Sequence, residues 1–211
     1  MEIRKHIGYL KSDFRGECAF LVSETYHAIY KMQSKVFTIL GFFLKGVKTG
    51  HGNEFVGTLW VKRFQNSTIS IGNNCIFVSK QTYNPLGLSR PCMLSTHRPD
   101  ARIVIGNGCS FSGTSIGALQ SVVLGENVRC GANTMITDSD WHTDDPRSGG
   151  SADVFIEDNV WLGAGSTVLK GVCIGKNSLI GANSLVVRDI PANVIAAGNP
   201  CKVIKALPIN D

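Results

Sequence analysis

The sequence predicts an all-β solenoid, a parallel β-helix, that follows a helical segment at the N-terminus. Three observations predict this fold: an aliphatic residue at every sixth position, turn-forming residues at a fixed distance from it, and two long interruptions of the pattern. A period of six is neither the two of a strand nor the 3.6 of a helix, so it indicates a short strand, a corner and another short strand. Three such sides complete one coil, and each coil stacks on its neighbours to bury its apolar residues.

The repeat is clearest in the C-terminal part of the chain. The aliphatic positions are Ile156, Leu162, Val168, Ile174, Ile180 and Val186. Three residues after each of them stand Asn159, Gly165, Gly171, Asn177, Asn183 and Asp189. Gly, Asn and Asp tolerate left-handed or turn backbone, so we expect them at the corners and the aliphatic residues inside.

The same step of six appears upstream in broken form, from Ile71 to Phe77 and from Ile105 to Phe111. The phase is lost between Phe77 and Ile105 and again before Ile156. These gaps predict loops that extend outward from the coil at about 79–102 and 137–154. Loops that leave a regular solenoid are where function is expected.

The first 46 residues do not follow the repeat. Apolar residues spaced by three or four predict an amphipathic helix there: Ile29, Met32, Val36, Leu40 and Phe43. We expect the helix to pack on the solenoid end or on a neighbouring subunit, and a weak membrane-surface contact is the alternative. The predicted organisation is therefore a helical segment at 1–46, a solenoid domain at 47–206 and a tail at 207–211. Pro200 is expected to end strand pairing.

Composition narrows the function classes. With 43% hydrophobic and 18% charged residues the chain is not disordered, and a net charge of +5 suits a small anionic ligand better than nucleic acid. No apolar run reaches the roughly 18 residues of a membrane span, and the first residues do not resemble a secretory signal. Seven scattered Cys without a CxxC pair indicate reduced thiols that serve as packing residues. We therefore expect a cytoplasmic protein, or one peripheral to the inner face of the membrane.

Three stretches carry a family resemblance. Residues 156–204 resemble the C-terminal coils of hexapeptide-repeat acyltransferases, and TDSDWHTDDPR at 137–147 resembles their active-site loop. Residues 84–118 are similar to the middle of the sugar and polysaccharide O-acetyltransferase branch. The resemblance implies a left-handed parallel β-helix, a homotrimer and acetyl-CoA as donor. It also implies a sugar acceptor, expected to be a cell-surface polysaccharide precursor. A small free sugar or xenobiotic acceptor, or a non-catalytic trimeric scaffold, are the alternatives.

His142 is the predicted catalytic residue. Acetyl transfer to a hydroxyl needs a base, and an imidazole has a pKa near neutrality. The family's catalytic base falls on His142. Asp140 or Asp138 is expected to orient it, and the sequence leaves open which one. Ser112 stands near the position where some related sugar acetyltransferases carry an acceptor-binding Asn, so it is a further candidate for support.

The resemblance also places the donor and the acceptor. The family's acetyl-CoA contacts fall on Ala164, Ala182, Val187, Arg188, Lys202 and Lys205. Trp161, which is expected to wall the groove, and Gly163 are further expected donor contacts. Small residues leave room for a pantetheine arm, and cations suit its phosphates. A backbone N–H of Gly163 or Ala164 is expected to stabilise the oxyanion. Acceptor contacts are expected from Asn84, Arg90, Trp141 and Arg147, with Tyr83 and His97 shaping the pocket.

A metal-dependent rival is disfavoured. A γ-carbonic anhydrase has the same solenoid but needs three His at a zinc site, whereas His97 and His142 are isolated in this sequence. We therefore expect no metal.

Overall fold

The computed structural model describes residues 13–208, which form one long helix and a series of short strands. Residues 1–12 of the predicted N-terminal segment and 209–211 of the predicted tail lie outside the described residues. The elements are α1 (Phe14–Lys45), β1 (Lys48–Thr49), β2 (Glu54–Val56), β3 (Trp60–Lys62), β4 (Thr68–Ile71), β5 (Ile76–Val78), β6 (Met93–Thr96), β7 (Arg102–Ile105), β8 (Ser110–Ser112), β9 (Ser115–Ala118), β10 (Ser121–Leu124), β11 (Arg129–Cys130), β12 (Met135–Thr137), β13 (Val154–Ile156), β14 (Trp161–Leu162), β15 (Thr167–Val168), β16 (Cys173–Ile174), β17 (Leu179–Ile180), β18 (Leu185–Val186), β19 (Val194–Ala197) and β20 (Lys202–Ala206), with a 3-10 helix at Gln81–Tyr83.

Successive strands visit three sheets in turn. The first sheet has the order β1-β4-β7-β10-β13-β16, the second β2-β5-β8-β11-β14-β17-β19-β20, and the third β3-β6-β9-β12-β15-β18. Each strand pairs in parallel with the strand three places later in the chain, apart from the end of the second sheet. This order is that of a three-sided parallel solenoid. Its left-handed winding stays a prediction.

The hexad positions form the interior, as the sequence predicted. All six aliphatic residues of the C-terminal repeat are buried, and each ends its strand: Ile156, Leu162, Val168, Ile174, Ile180 and Val186. Upstream, the same interior continues as a column of rings. Phe42 at the end of α1 lies edge-on to Phe55, with ring centroids 5.6 Å apart, and Phe55, Phe77 and Phe111 stack in sequence. Phe42 thereby closes the N-terminal end of the solenoid core.

The predicted corner residues hold the coil by backbone conformation and by side-chain bonds. Asn159, Asn177 and Asn183 have positive φ values, as do Gly165 and Gly171. The amides of Asn159 and Asn177 also hydrogen-bond each other at 3.0 Å across successive coils.

Asp189 differs from the other predicted corner residues. It is not among the residues with positive φ, and its carboxylate accepts the N–H of Cys173 at 2.7 Å. This corner is therefore held by a side-chain bond and not by left-handed backbone.

Two expectations about the chain path are wrong. The predicted loop at 79–102 contains strand β6, because Leu94 is a buried core residue. It lies 17 residues after Phe77 and 11 before Ile105, so insertions on both sides hide its phase in the sequence. Pro200 does not end pairing either, since the chain reverses there and β20 runs antiparallel to β19.

Helix α1 is bounded by ordinary caps. The Asp13 side chain accepts the N–H of Gly16 at the start, and Gly46, with φ of 64°, ends the helix. Among residues 13–208, no helix is both long and apolar enough to cross a bilayer.

Candidate active site

The connection between β12 and β13, residues 138–153, carries the predicted base His142. Local turns hold its backbone: the N–H of His142 donates to the carbonyl of Asp140 at 2.9 Å, and the N–H of Asp145 donates to the carbonyl of His142 at 3.1 Å. The imidazole itself is exposed and hydrogen-bonds no other described side chain. It is therefore accessible to a ligand at the surface.

The side chain of Asp138 accepts hydrogen bonds from backbone N–H groups. Its carboxylate is 0% exposed and accepts the N–H groups of Leu119, Gln120 and Ser121 at 2.8, 2.6 and 2.8 Å. These three amides form the corner between β9 and β10. The structure therefore gives Asp138 a role in holding this corner, and it shows no bond from Asp138 to His142.

Asp140 pairs with a cation from another coil. The Nζ of Lys170 lies 2.5 Å from Oδ2 of Asp140, with both side chains partly exposed. This pair fixes the start of the connection to the turn after β15. Sequence analysis did not identify Lys170, because nothing in the spacing shows that the two residues meet.

Trp141 is held in an uncommon conformation. Its φ is +69°, a region that bulky residues rarely adopt outside functional or strained sites. The hydroxyl of Ser139 accepts the N–H of Trp141 at 3.1 Å, and the indole lies directly on Gly117 of β9. A Cβ at Gly117 would lie 2.5 Å from the ring. A glycine inside a strand often marks such a close approach, so this signal was present in the sequence.

A surface pocket of about 270 Å³ lies beside Trp141 on the outer face of the third sheet. The His97 ring stands edge-on to the indole with centroids 4.8 Å apart. The lining residues are Met93, Ser95, His97, Ser115, Ile116, Gly117, Met135, Ile136, Thr137 and Trp141. Burial, and next the nearby Lys62 ammonium, lower the pKa of His97, while the Asp138 carboxylate acts in the opposite direction. The His97 ring is therefore neutral at pH 7.

The other predicted acceptor residues do not line this pocket. Arg90 donates from Nη2 to the carbonyl of Asn133 at 2.8 Å, which pins the 79–92 connection to the coil. Asn84 accepts the N–H of Leu86 within its own turn.

The remaining two candidates also lie apart from the pocket. Arg147 pairs with Asp145 inside the 138–153 connection, with Nη2 2.6 Å from Oδ2. Ser112 lies half-buried on β8 of the second sheet. The structure thus brings Trp141 and His97 together and leaves Asn84, Arg90, Arg147 and Ser112 outside the pocket.

Three of the predicted donor residues, Gly163, Ala164 and Ala182, lie at the corner that follows the second sheet. Successive coils approach closely there, since a Cβ at Gly163 would lie 2.5 Å from the backbone nitrogen of Ala182. The N–H of Gly163 already donates to the carbonyl of Ile180 at 2.7 Å, whereas that of Ala164 donates to no backbone carbonyl in the described part of the chain. Of the two expected oxyanion donors, Ala164 is therefore the one whose N–H has no acceptor among residues 13–208.

Cationic side chains lie at the C-terminal end of the solenoid. Lys202 and Lys205 are exposed on β20, and Arg188 is exposed after β18, next to Val187. None of these three cations forms an ion pair within residues 13–208. Trp161, half exposed on β14, stands at the start of the same corner as Gly163.

Neither Cys130 nor Cys173 is an activated nucleophile. Burial raises the pKa of Cys130 to about 12, and burial together with the charges of Glu157 and Asp189 raises the pKa of Cys173. A neutral thiol is a poor nucleophile, so covalent catalysis through these residues is disfavoured. Residues 13–208 also contain no cluster of metal ligands.

Comparison with known proteins identifies the repeat. A family model described as bacterial transferase hexapeptide (six repeats) matches residues 153–188, the coils from β13 to β18. The coils from β13 to β18 therefore carry the hexapeptide repeat of bacterial transferases. The hexapeptide-repeat chain is 48% identical over 95 residues to a galactoside O-acetyltransferase of Lactococcus lactis, covering 43% of this chain and 45% of the relative. It is 42% identical over 95 residues to the galactoside O-acetyltransferase of Escherichia coli, covering 43% and 46%.

The fold extends beyond these aligned stretches. A crystal structure of a point mutant of AntD, an N-acyltransferase from Bacillus cereus in complex with dTDP and coenzyme A, aligns with 77% of this chain and 84% of its own. The TM-score is 0.51 and the identity 19%, a likeness of fold. The hexapeptide-repeat chain spans less than half the length of the two galactoside O-acetyltransferases that it matches.

Proposed function

We propose that this protein is an acetyl-CoA-dependent O-acetyltransferase that acts on a sugar hydroxyl, with His142 as the general base. The observation that carries the proposal is the imidazole of His142, which is exposed and has no side-chain partner within residues 13–208. The indole of the preceding Trp141 walls a pocket. This arrangement stands on a hexapeptide-repeat solenoid whose aligned relatives include named galactoside O-acetyltransferases.

In the proposed reaction the acceptor hydroxyl gives its proton to the imidazole of His142 as its oxygen attacks the thioester carbonyl carbon. The carbonyl oxygen becomes an oxyanion, which is proposed to accept a hydrogen bond from the N–H of Ala164. Collapse of the tetrahedral intermediate breaks the C–S bond, and the imidazolium returns the proton to the departing thiolate. The high thiol pKa of Cys130 favours this direct transfer over an acyl-enzyme.

Acetyl-CoA is proposed to lie along the corner that contains Gly163, Ala164 and Ala182, with its phosphates near Arg188 and the two β20 lysines. The small side chains at this corner leave its outer edge open, and the exposed cations are not neutralised by acidic partners within residues 13–208. Cations of this kind stabilise phosphate groups through charge-assisted hydrogen bonds.

The acceptor is proposed to bind beside Trp141 and His97. An indole edge and a neutral imidazole give an apolar wall for the ring face of a sugar, and Ser95, Ser115 and Thr137 add hydroxyl groups to the lining. A cell-surface polysaccharide precursor is the proposed acceptor class. A left-handed coil over 47–206, a homotrimer, a cytoplasmic location and an extruded loop at about 137–154 belong to the same proposal. The handedness and the trimer rest on the family resemblance.

The test is acetyl-CoA turnover followed as free thiol release, with free galactosides, glycan precursors and amino sugars as acceptors. His142→Ala should lower kcat by about 10²-fold or more with one acceptor class. His51→Ala, which removes an exposed imidazole at another corner, is the matched control and should keep full turnover. Unchanged turnover in His142→Ala would refute the base, and no turnover together with no CoA binding would favour a scaffold.

A further inference from the structure

Helix α1 turns its apolar side away from the solenoid. Toward the solenoid it buries Ser34, Thr38 and Phe42, and Ser34 accepts the N–H of Gly57 at 3.1 Å. Most large apolar residues of the helix are exposed, with Val36 at 61% and Phe43 at 81%. A helix on the surface of a monomer buries its apolar face. The reversed arrangement indicates that another surface covers this side of α1.

The outward residues follow a heptad pattern. Alternating steps of four and three connect Cys18, Val22, Thr25, Ile29, Met32, Val36, Ile39 and Phe43, which we call the heptad stripe. A period of 3.5 keeps a stripe facing a partner helix along its whole length. The positions spaced by seven are Val22, Ile29, Val36 and Phe43, and β-branched residues at such positions are typical of coiled-coil seams. The pattern spans nearly the whole of α1.

We propose that the heptad stripe pairs with the heptad stripe of a second copy of this chain. This inference does not rest on the proposed acetyltransferase activity, because it follows from α1 alone. It assigns the outward face of the helix to an interface between copies.

The exposed area is sufficient for such pairing. Nine apolar side chains on or beside the stripe are between 43% and 81% exposed: Phe14, Leu21, Val22, Ile29, Met32, Val36, Ile39, Leu40 and Phe43. Since full burial of one such side chain removes about 60–120 Å² from water, they offer roughly 500 Å² per helix. A pair would bury about 1,000 Å², the area that a specific interface needs.

Charge favours a protein partner over a lipid surface. Of the three lysines in α1, Lys31 lies 3.8 Å from Glu54 and Lys45 donates to the carbonyl of Val61 at 2.7 Å. These two cations face the solenoid, which leaves Arg15 and Lys35 as the exposed cations on the remaining sides of α1. Two cations are fewer than the Lys- and Arg-rich polar face of a membrane-bound helix carries. A helix that lies on an anionic membrane carries its cations where they reach the lipid head groups.

The test is photo-cross-linking of the full-length protein with p-benzoylphenylalanine at Val36. We expect a product of twice the 22.8 kDa chain mass, with the cross-link mapped by mass spectrometry to residues 18–43 of the second copy. The same cross-linker at Phe37, which is 66% exposed but turned about 100° around the helix, is the matched control. It should give at least ten-fold less product.

A second variant checks that the seam itself is responsible. Ile29→Asp places a charge in the stripe one heptad from Val36 and should lower the cross-linked fraction at least ten-fold, with helix content by circular dichroism unchanged. Cross-links to the solenoid of another copy, or only within one chain to residues 1–12, would overturn the proposal. So would cross-linking to lipid in phosphatidylglycerol and phosphatidylethanolamine vesicles without any stripe-to-stripe product, or no cross-link at all.

Discussion

Replacing Asp138 separates a structural role from a catalytic one. In Asp138→Ala the N–H groups of Leu119, Gln120 and Ser121 lose their acceptor, and two of these bonds are fully buried. A hydrogen bond to a charged group contributes about 1.5–3 kcal/mol, so losing the two buried bonds costs about 3–6 kcal/mol of unfolding free energy. For a chain of this length that lowers Tm by about 6–24 °C. Asp138→Asn keeps one acceptor oxygen, so its Tm should lie between those of the wild type and Asp138→Ala.

Thermal unfolding by circular dichroism measures this change, with acetyl-CoA turnover measured at a temperature where the variant is folded. Asp144→Ala, an exposed acid of the same connection, is the control and should leave Tm within about 2 °C. If Asp138→Ala kept the wild-type Tm and lost turnover, the carboxylate would act on His142. The role inferred from its three backbone bonds would then be wrong.

Three further predictions concern the pocket and the donor corner. Gly117→Ala should displace the Trp141 indole and raise KM for the acceptor several-fold while KM for acetyl-CoA stays unchanged. Steady-state kinetics with both substrates varied measures the two constants. An equal rise in both KM values would contradict the prediction. Because burial lowers the pKa of His97 in the folded state, the unfolded state binds the extra proton first, so stability falls as pH drops below about 6.5. His97→Asn should reduce this loss in Tm scans between pH 7.5 and 5, and an unchanged profile would contradict it. Lys202→Ala combined with Lys205→Ala should raise KM for acetyl-CoA by about ten-fold with little change in acceptor KM, and salt should weaken donor binding less in this variant than in the wild type.

The repeat was readable because its physics is local. Each coil needs an inward aliphatic residue and a corner that accepts left-handed backbone, so burial of Ile156 and positive φ at Asn159 could be predicted from spacing. Strand β6 was missed because insertions on both sides of Leu94 remove the phase that spacing depends on.

The candidate site was only partly readable. His142 could be named from its chemistry and from the resemblance of its loop, and the structure leaves its imidazole exposed. The roles of the two nearby acids could not be assigned, because Asp138 meets backbone amides from another coil and Asp140 meets Lys170 from a third. Such pairings join residues about 17 to 30 positions apart. Spacing along the sequence does not predict which of several acids reaches which partner.

By itself, then, the sequence predicted the solenoid repeat, a loop at about 137–154 and His142 as the candidate base. Periodicity and residue chemistry act within one coil, so predictions based on them do not need the tertiary structure. Only the tertiary structure decided that His97 and Trp141 meet over Gly117, that Asp138 holds a corner, and that α1 faces outward with its apolar side. Stacking of coils and docking of the helix determine these contacts, since they bring together residues that the chain keeps far apart.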